Sequence, residues 1–382
     1  MLFPYTYVPH KMEKMQEFID FIFNEVWCKA PTNGPFGLHL FNANSELDEV
    51  MTTFFYSDTK GAYFFYSNVE RIYDLFLPLT ANQINQLQLW YEGNNDLDKV
   101  CTNDSTTQLA RYTHIGATHK NLSIQLKVFF TGLYDQNLLR IPTLREKIGD
   151  ITDHYQNFVS NNEGKCPFCG ISDMKGPNHR GREAYDHFLP KALYPFNSIN
   201  FRNLVPTCHE CNSAYKLSKD PAHNSNGRRK AFNPYSVLTY AIQIQISLRH
   251  ADMEKLTPTD IMIEFGPTEL IDELETWKDV YGIDERFKAK ACWSGDGKYW
   301  LLQVMDECQR LGKTPVDILE MRTQQMHSLP YADCNFLRVP FLNACQLVEY
   351  FGTRPAAAPV QTANQFEHAH PSDTEIEDSL SD

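Results

Sequence analysis

The amino-acid sequence predicts an α+β protein in which mostly helical flanks surround one small cysteine-rich module. Three observations carry this. Met15, Phe18, Ile19, Ile22 and Val26 recur at the spacing of one helix face, the mark of an amphipathic helix laid on a core. Ile242, Ile244 and Ile246, and again Ile261, Ile263 and Phe265, alternate with polar residues as two short half-buried strands do. Between these regions Cys166-Pro167-Phe168-Cys169 and Cys208-His209-Glu210-Cys211 repeat one short pattern.

A chain of 382 residues has room for two or three domains. Composition shifts divide it into a helix-rich region (1–160), the cysteine module (161–235), a C-terminal α/β region (236–354) and an acidic tail (355–382). The hydrophobic share of 42% excludes a disordered chain, because it supplies enough apolar surface to offset the entropy of folding. The tail is the exception: no Lys or Arg follows Arg354, and six carboxylates lie between Phe366 and Asp382, so it is expected to be disordered. Within the first region, Phe54-Phe55-Tyr56 and Tyr63-Phe64-Phe65-Tyr66 flank Asp58-Thr59-Lys60-Gly61, which allows a hairpin. Helical patterns return at Leu270, Leu274, Trp277 and Tyr281 and at Leu301, Val304 and Cys308. No apolar run reaches the length of a membrane span, and Met12–Trp27 carries acidic residues unlike an export signal, so a soluble cytoplasmic protein without a membrane partner is expected.

In that compartment thiols stay reduced, and two Cys-x-x-Cys pairs point to metal rather than disulfides. Each pair is a tight turn presenting two thiolates, and two turns complete a tetrahedral zinc site from Cys166, Cys169, Cys208 and Cys211. An all-thiolate shell leaves no position for substrate, so the zinc is structural. His209 and Glu210 then fall on the knuckle surface. The single cysteines Cys28, Cys101, Cys292, Cys334 and Cys345 read as small buried hydrophobes. The 38 residues between the pairs exceed a simple zinc loop, so a further element is inserted.

That insert holds Tyr185-Asp186-His187 and Arg202-Asn203-Leu204, and the second knuckle runs on as Cys211-Asn212 with Lys216 beyond. This order, Asp-His, then Asn-Leu, then Cys-Asn, resembles the HNH (ββα-metal) endonuclease family in its His-Asn-Asn form with four-cysteine zinc knuckles. The resemblance covers about 50–70 residues. It implies that Asp186 and the side-chain oxygen of Asn212 hold a catalytic Mg²⁺ or Mn²⁺, that His187 is the general base, and that Asn203 ties the loop bearing His187. Alternation along a strand lets Asp186 and His187 face opposite ways, and an imidazole is suited to accept a proton at neutral pH. The family's Lys stands three places past the second Asn, whereas Lys216 stands four past Asn212. The segment Trp277–Phe287 resembles one that follows HNH modules of bacterial anti-phage defence systems, where a sensor or ATPase partner restrains the cut.

The formal net charge is −13, which excludes a protein that coats nucleic acid over its whole surface, yet residues 161–235 carry eleven Lys and Arg against six Asp and Glu. Arg180, Arg182, Lys191, Arg202, Lys216, Lys219, Arg228, Arg229 and Lys230 are the candidate phosphate contacts, with His179 and His223 read as surface loop residues. DNA is the expected substrate, with RNA not excluded. The competing reading is a zinc-knuckle module that binds nucleic acid or protein without catalysis; against it stands the complete Asp186, His187, Asn203 and Asn212 set.

Overall fold

Amphipathic helices fill the first 160 residues of the computed structural model, which describes residues 1–351. The expected acidic tail, 355–382, lies outside the described residues. The longer helices here are α1 (Lys14–Phe21), α2 (Ser45–Phe55), α3 (Lys60–Phe76), α4 (Ala81–Asn95), α5 (Tyr112–Thr118), α6 (Lys120–Gly132) and α7 (Ile151–Ser160). Their starts are set by polar caps: the side chains of Asn44, Thr59 and Thr80 accept from the backbone N–H groups of Leu47, Ala62 and Gln83. The stripe predicted from Met15 to Val26 is fully buried, with α1 running on through a wider turn over Ile22–Trp27.

The hairpin that Asp58-Thr59-Lys60-Gly61 would allow does not form. These residues join α2 to α3, because the Thr59 hydroxyl caps a helix whose Phe65, Val69, Ile72 and Phe76 share one buried face. Phe54 and Phe65 meet edge to face at 5.6 Å in the core, while Phe55, Tyr56 and Tyr63 stay exposed.

Strands enter only with the cysteine module. β1 (Ala184–His187) pairs antiparallel with β2 (Leu204–Thr207), so that Asp186 stands opposite Val205 and His187 opposite Leu204. A wide helix, α8 (Glu210–Lys216), follows, closed by a bond from the Leu217 N–H to the carbonyl of Asn212 five residues back. Then come β3 (Gln243–Leu248) and β4 (Ile261–Gly266), the antiparallel pair that alternation predicted. Five α-helices follow among the described residues: α9 (Ile271–Tyr281), α10 (Ile283–Ala291), α11 (Gly297–Leu311), α12 (Pro315–Ser328) and α13 (Asn335–Leu347). The architecture is therefore α+β, with helices around small antiparallel strand pairs. Among the described residues no helix is long and apolar enough to cross a membrane.

Two hydrophobic cores result, and the β1–β2 hairpin is the wall between them. Tyr185 and Leu204 join the N-terminal core of Phe23, Trp27, Phe129 and Phe130. Phe188, Leu189 and Val205 join the other core, which holds the four knuckle cysteines, Trp277, Phe287 and the first residues Met1, Leu2 and Tyr5. Alternation of side chains along a strand makes this two-sided burial possible. Phe129 is fully buried and rings the N-terminal core with Trp27, Phe65 and Phe130. Phe129→Ala is expected to cost about 3–5 kcal/mol through the cavity it leaves, seen as a lower thermal midpoint, with zinc content unchanged because the knuckle sits in the other core.

Candidate functional site

The four cysteines are fully or nearly fully buried and converge. Their Sγ atoms all lie within 4.8 Å of one another, with Cys166 to Cys211 at 3.8 Å and Cys169 to Cys208 at 3.9 Å. Four thiolates at about 2.3 Å from a tetrahedral zinc stand roughly 3.8 Å apart, so the group can hold a zinc ion. Burial pushes the Cys166 and Cys211 thiols up, whereas hydrogen bonds from the neighbouring cysteines pull Cys169 and Cys208 down, and a bound cation would favour the thiolate at all four. The first knuckle closes through the Gly170 N–H to the Cys166 carbonyl at 2.7 Å. Gly170 has φ +66°, and a Cβ there would strike Leu2 and Phe336, so no other residue fits that turn without strain. His209 and Glu210 are exposed, as expected, and the five single cysteines are buried.

Sequence reasoning missed how the C-terminal region grips this centre. The Arg286 guanidinium, from α10, donates to Cys211 Sγ at 3.1 Å and to the Tyr281 carbonyl at 3.3 Å. The Trp277 indole donates to the Phe168 carbonyl inside the first knuckle at 2.6 Å. Trp277 and Phe287 pack edge to face on each other, 6.0 Å apart. The Trp…Arg-Phe pattern was visible in the sequence, but nothing there indicated that it reaches a thiolate.

On the hairpin, the Asp186 carboxylate is buried and half satisfied. Its Oδ1 accepts from Lys216 Nζ at 2.9 Å, whereas Oδ2 is shielded from solvent and has no hydrogen-bond partner. Burial pushes the Asp186 carboxyl up from its usual value, and Lys216 opposes that shift. Lys216 also donates to the His187 carbonyl at 2.8 Å and is fully buried. This corrects its placement among surface phosphate contacts: an ammonium held inside by a carboxylate and a carbonyl does not reach a nucleic acid. Asn212 lies one turn earlier on α8, partly exposed, and its side chain has no hydrogen-bond partner among the described residues.

His187 turns to the other face of the strand, its ring edge-on to Tyr134 at 5.4 Å. Nε2 lies 3.0 Å from the Ser198 carbonyl, which only accepts, so Nε2 carries the proton and Nδ1 keeps the lone pair. Burial drives the imidazole down to about 3, helped by the nearby Lys191 charge, so the ring is neutral around pH 7. Asn203 is buried and ties the following loop as expected: its side chain accepts from the Leu189 N–H at 2.7 Å and donates to the carbonyls of Leu189 and Asn197. The Asn197 side chain donates to the Asn94 carbonyl, and Asn94 in turn donates to the Pro195 carbonyl, each at 3.0 Å. The loop that presents Ser198 to His187 is thus fastened to the end of α4. Neither Ser198 nor Asn94 carries a sequence signal, since one acts through its backbone and the other is one Asn among many.

The remaining basic residues divide into committed and uncommitted groups. Arg228 donates to the carbonyls of Asp104 and Thr107, and Arg229 to the Asp220 carbonyl and the Asp279 carboxylate, so both clamp the fold. Lys219 donates to the Asp279 carbonyl, Lys230 stands 3.8 Å from Asp272, and the exposed Arg202 lies over the Tyr7 ring. Arg180 is exposed, while Arg182 and Lys191 are half-buried beside the hairpin. His179 is a surface residue, as read; His223 is not, because its Nδ1 lies 2.9 Å from the Tyr194 hydroxyl in a network that includes Asp220 and Arg111.

Over 113 residues the chain is 34% identical to Protein ea31 of Escherichia phage lambda, an alignment covering 28% of this chain and 31% of that protein. The chain therefore matches about a third of that relative's length. No family model matches the sequence, and no solved structure matches it.

Two outcomes test this arrangement. One zinc per chain is expected by metal analysis of protein purified without chelator, and Cys169→Ser should lose it together with much of the thermal stability. Lys216→Met should destabilise by about 3–5 kcal/mol because it strands a buried carboxylate. Adding Asp186→Asn to that variant should restore part of the loss, which a double-mutant cycle on denaturation midpoints measures.

Proposed function

We propose that this protein is a metal-dependent endonuclease of the HNH type that hydrolyses phosphodiester bonds of DNA. The observation that carries the reading is the pairing of an imidazole oriented by the Ser198 carbonyl with an unpaired buried carboxylate oxygen on adjacent residues of one strand. Catalytic bases need a lone pair held by a partner at the other ring nitrogen, and the Ser198 carbonyl supplies that partner at His187. Asp186 Oδ2, without a hydrogen-bond donor, suits a hard divalent cation, and the amide oxygen of Asn212 offers a second oxygen of the same kind. Mg²⁺ or Mn²⁺ bound there would neutralise charge on the scissile phosphate and the departing oxygen. His187 would take the proton from the attacking water, a contribution of roughly 10²–10⁴ in rate. Asn203 and Asn94 would keep the loop, and so the imidazole, in place.

The zinc centre has no part in this chemistry; it holds α8 and the hairpin together. The resemblance of Trp277–Phe287 to segments of anti-phage effectors supports a nuclease controlled by a partner such as a sensor or ATPase.

Supercoiled-plasmid nicking by the purified chain with Mg²⁺ or Mn²⁺, against a chelator control, tests the proposal. Wild type should nick, and His187→Ala should lose at least a hundredfold in rate at unchanged zinc content, while Asn212→Ala should need more metal for half-maximal rate. Intact nicking by His187→Ala would remove the base assignment. Duplex binding without cutting in either metal would favour the zinc-knuckle binding module.

A further inference from the structure

We propose that Tyr134, Lys191 and Arg182 form a phosphate seat against the His187 ring, so that the helical N-terminal region supplies one wall of the substrate site. The inference rests on the nuclease reading for its catalytic consequence; as a claim about anion binding it stands apart. Tyr134 lies in the turn after α6, far in sequence from the cysteine module, yet its ring meets His187 edge to face at 5.4 Å and 81°. Its hydroxyl is shielded from solvent and makes no hydrogen bond of good geometry, its nearest donor being the Arg182 side chain.

Two cations stand beside it. The Lys191 ammonium lies over the Tyr134 ring, 5.8 Å from its centroid, and makes only a long 3.4 Å contact to the Thr131 carbonyl. It is half-buried and forms no ion pair among the described residues, which leaves donors unused. Arg182 is likewise half-buried without an ion pair among the described residues, donating to the Glu183 carbonyl at 3.0 Å and resting over the Tyr185 ring at 5.4 Å. Burial pushes the Tyr134 hydroxyl up to about 12 while the Arg182 charge pulls the other way, so the guanidinium lies within electrostatic reach of that oxygen.

A phenol, an ammonium and a guanidinium offer hydrogen bonds and positive charge with no carboxylate in the set, the nearest acidic influence on Lys191 being Asp135. Their complement is an anion with several oxygens, and a phosphodiester fits both the fork of Arg182 and the point charge of Lys191. Its place next to His187 puts the bound phosphate beside the proposed base. The hydroxyl, a neutral donor, would add orientation to the attraction that the two charges provide.

Fluorescence anisotropy of a labelled random-sequence DNA duplex, titrated in excess chelator at several salt concentrations, tests the seat without requiring cleavage. Lys191→Met is expected to weaken binding roughly tenfold and to lower the salt slope by about 0.9, the value for one lost phosphate contact. Tyr134→Phe keeps the ring against His187 and is expected to weaken binding roughly fivefold. Lys313→Met, which removes an exposed charge in the C-terminal half, is the control, and all variants are compared at matched zinc content and melting temperature. Equal losses in Lys191→Met and Lys313→Met, wild-type binding by Tyr134→Phe, or no duplex binding by the wild type would each overturn the seat. Plasmid nicking run in parallel separates the two ideas. Weakened binding in the variants with no wild-type nicking leaves the seat without the nuclease, whereas nicking by a wild type whose variants bind unchanged leaves the nuclease without the seat.

Discussion

Lys216 and Asp186 form an ion pair with both partners out of water, and the geometry of the hairpin depends on it. Desolvating two charges is expensive, and the pair is tenable because its geometry is good and the ammonium finds a second acceptor in the His187 carbonyl. That second bond pins the end of β1, and with it the backbone of His187, to the last residue of α8. The helix in turn begins at the second knuckle, so the position of Lys216 is set by how Cys208 and Cys211 are held. A four-cysteine cluster able to hold zinc thereby fixes the Asp186 carboxylate and the His187 backbone through one lysine. The pair also explains why Asp186 Oδ2 is left over: Lys216 satisfies one oxygen and cannot reach around to the other.

The hairpin divides the labour between the flanks. Asp186 shares its face with Val205 and looks to the core of the knuckle, Trp277 and Phe287, whereas His187 shares its face with Tyr185 and Leu204 and looks to the N-terminal helices. The C-terminal region acts on the first face by donating from Arg286 and Trp277 into the two knuckles. The N-terminal region acts on the second through Tyr134 at the imidazole and Asn94 at the loop that carries Ser198. Described residues on both sides of the motif therefore help to set each half of it.

The sequence was most informative where a residue's chemistry has few uses. Two Cys-x-x-Cys pairs have little to do but bind metal, and the structure brings all four together; Asn203 likewise makes the loop-tying bonds expected of it. Periodicity located α1, α9, α11 and the β3–β4 pair because each buries one face. It failed around Phe54 to Tyr66, where aromatic residues suit a strand or a helix equally and the Thr59 cap decided the matter. Lys216, Arg228 and Arg229 show a different limit: a charged residue reads as surface until a buried carboxylate or carbonyl is known to face it. Ser198 was beyond any reading of side chains, since only its backbone carbonyl is used.

These internal commitments also bear on how such a site would be restrained. Of the eleven basic residues between 161 and 235, Lys216 is buried and Arg228 and Arg229 are spent on the fold, so the field that a phosphate meets is weaker than the sequence suggests. The rest of the chain is strongly acidic and repels a polyanion at long range. On the proposed reading, this chain would engage DNA weakly by itself, and added positive surface or a tethered substrate would raise its activity. A partner that brings DNA to the hairpin meets that need without changing the site, because the imidazole and the carboxylate are already held in place by Ser198 and Lys216. Control by delivery is thus the mode that this charge distribution favours over control by assembly of the catalytic groups.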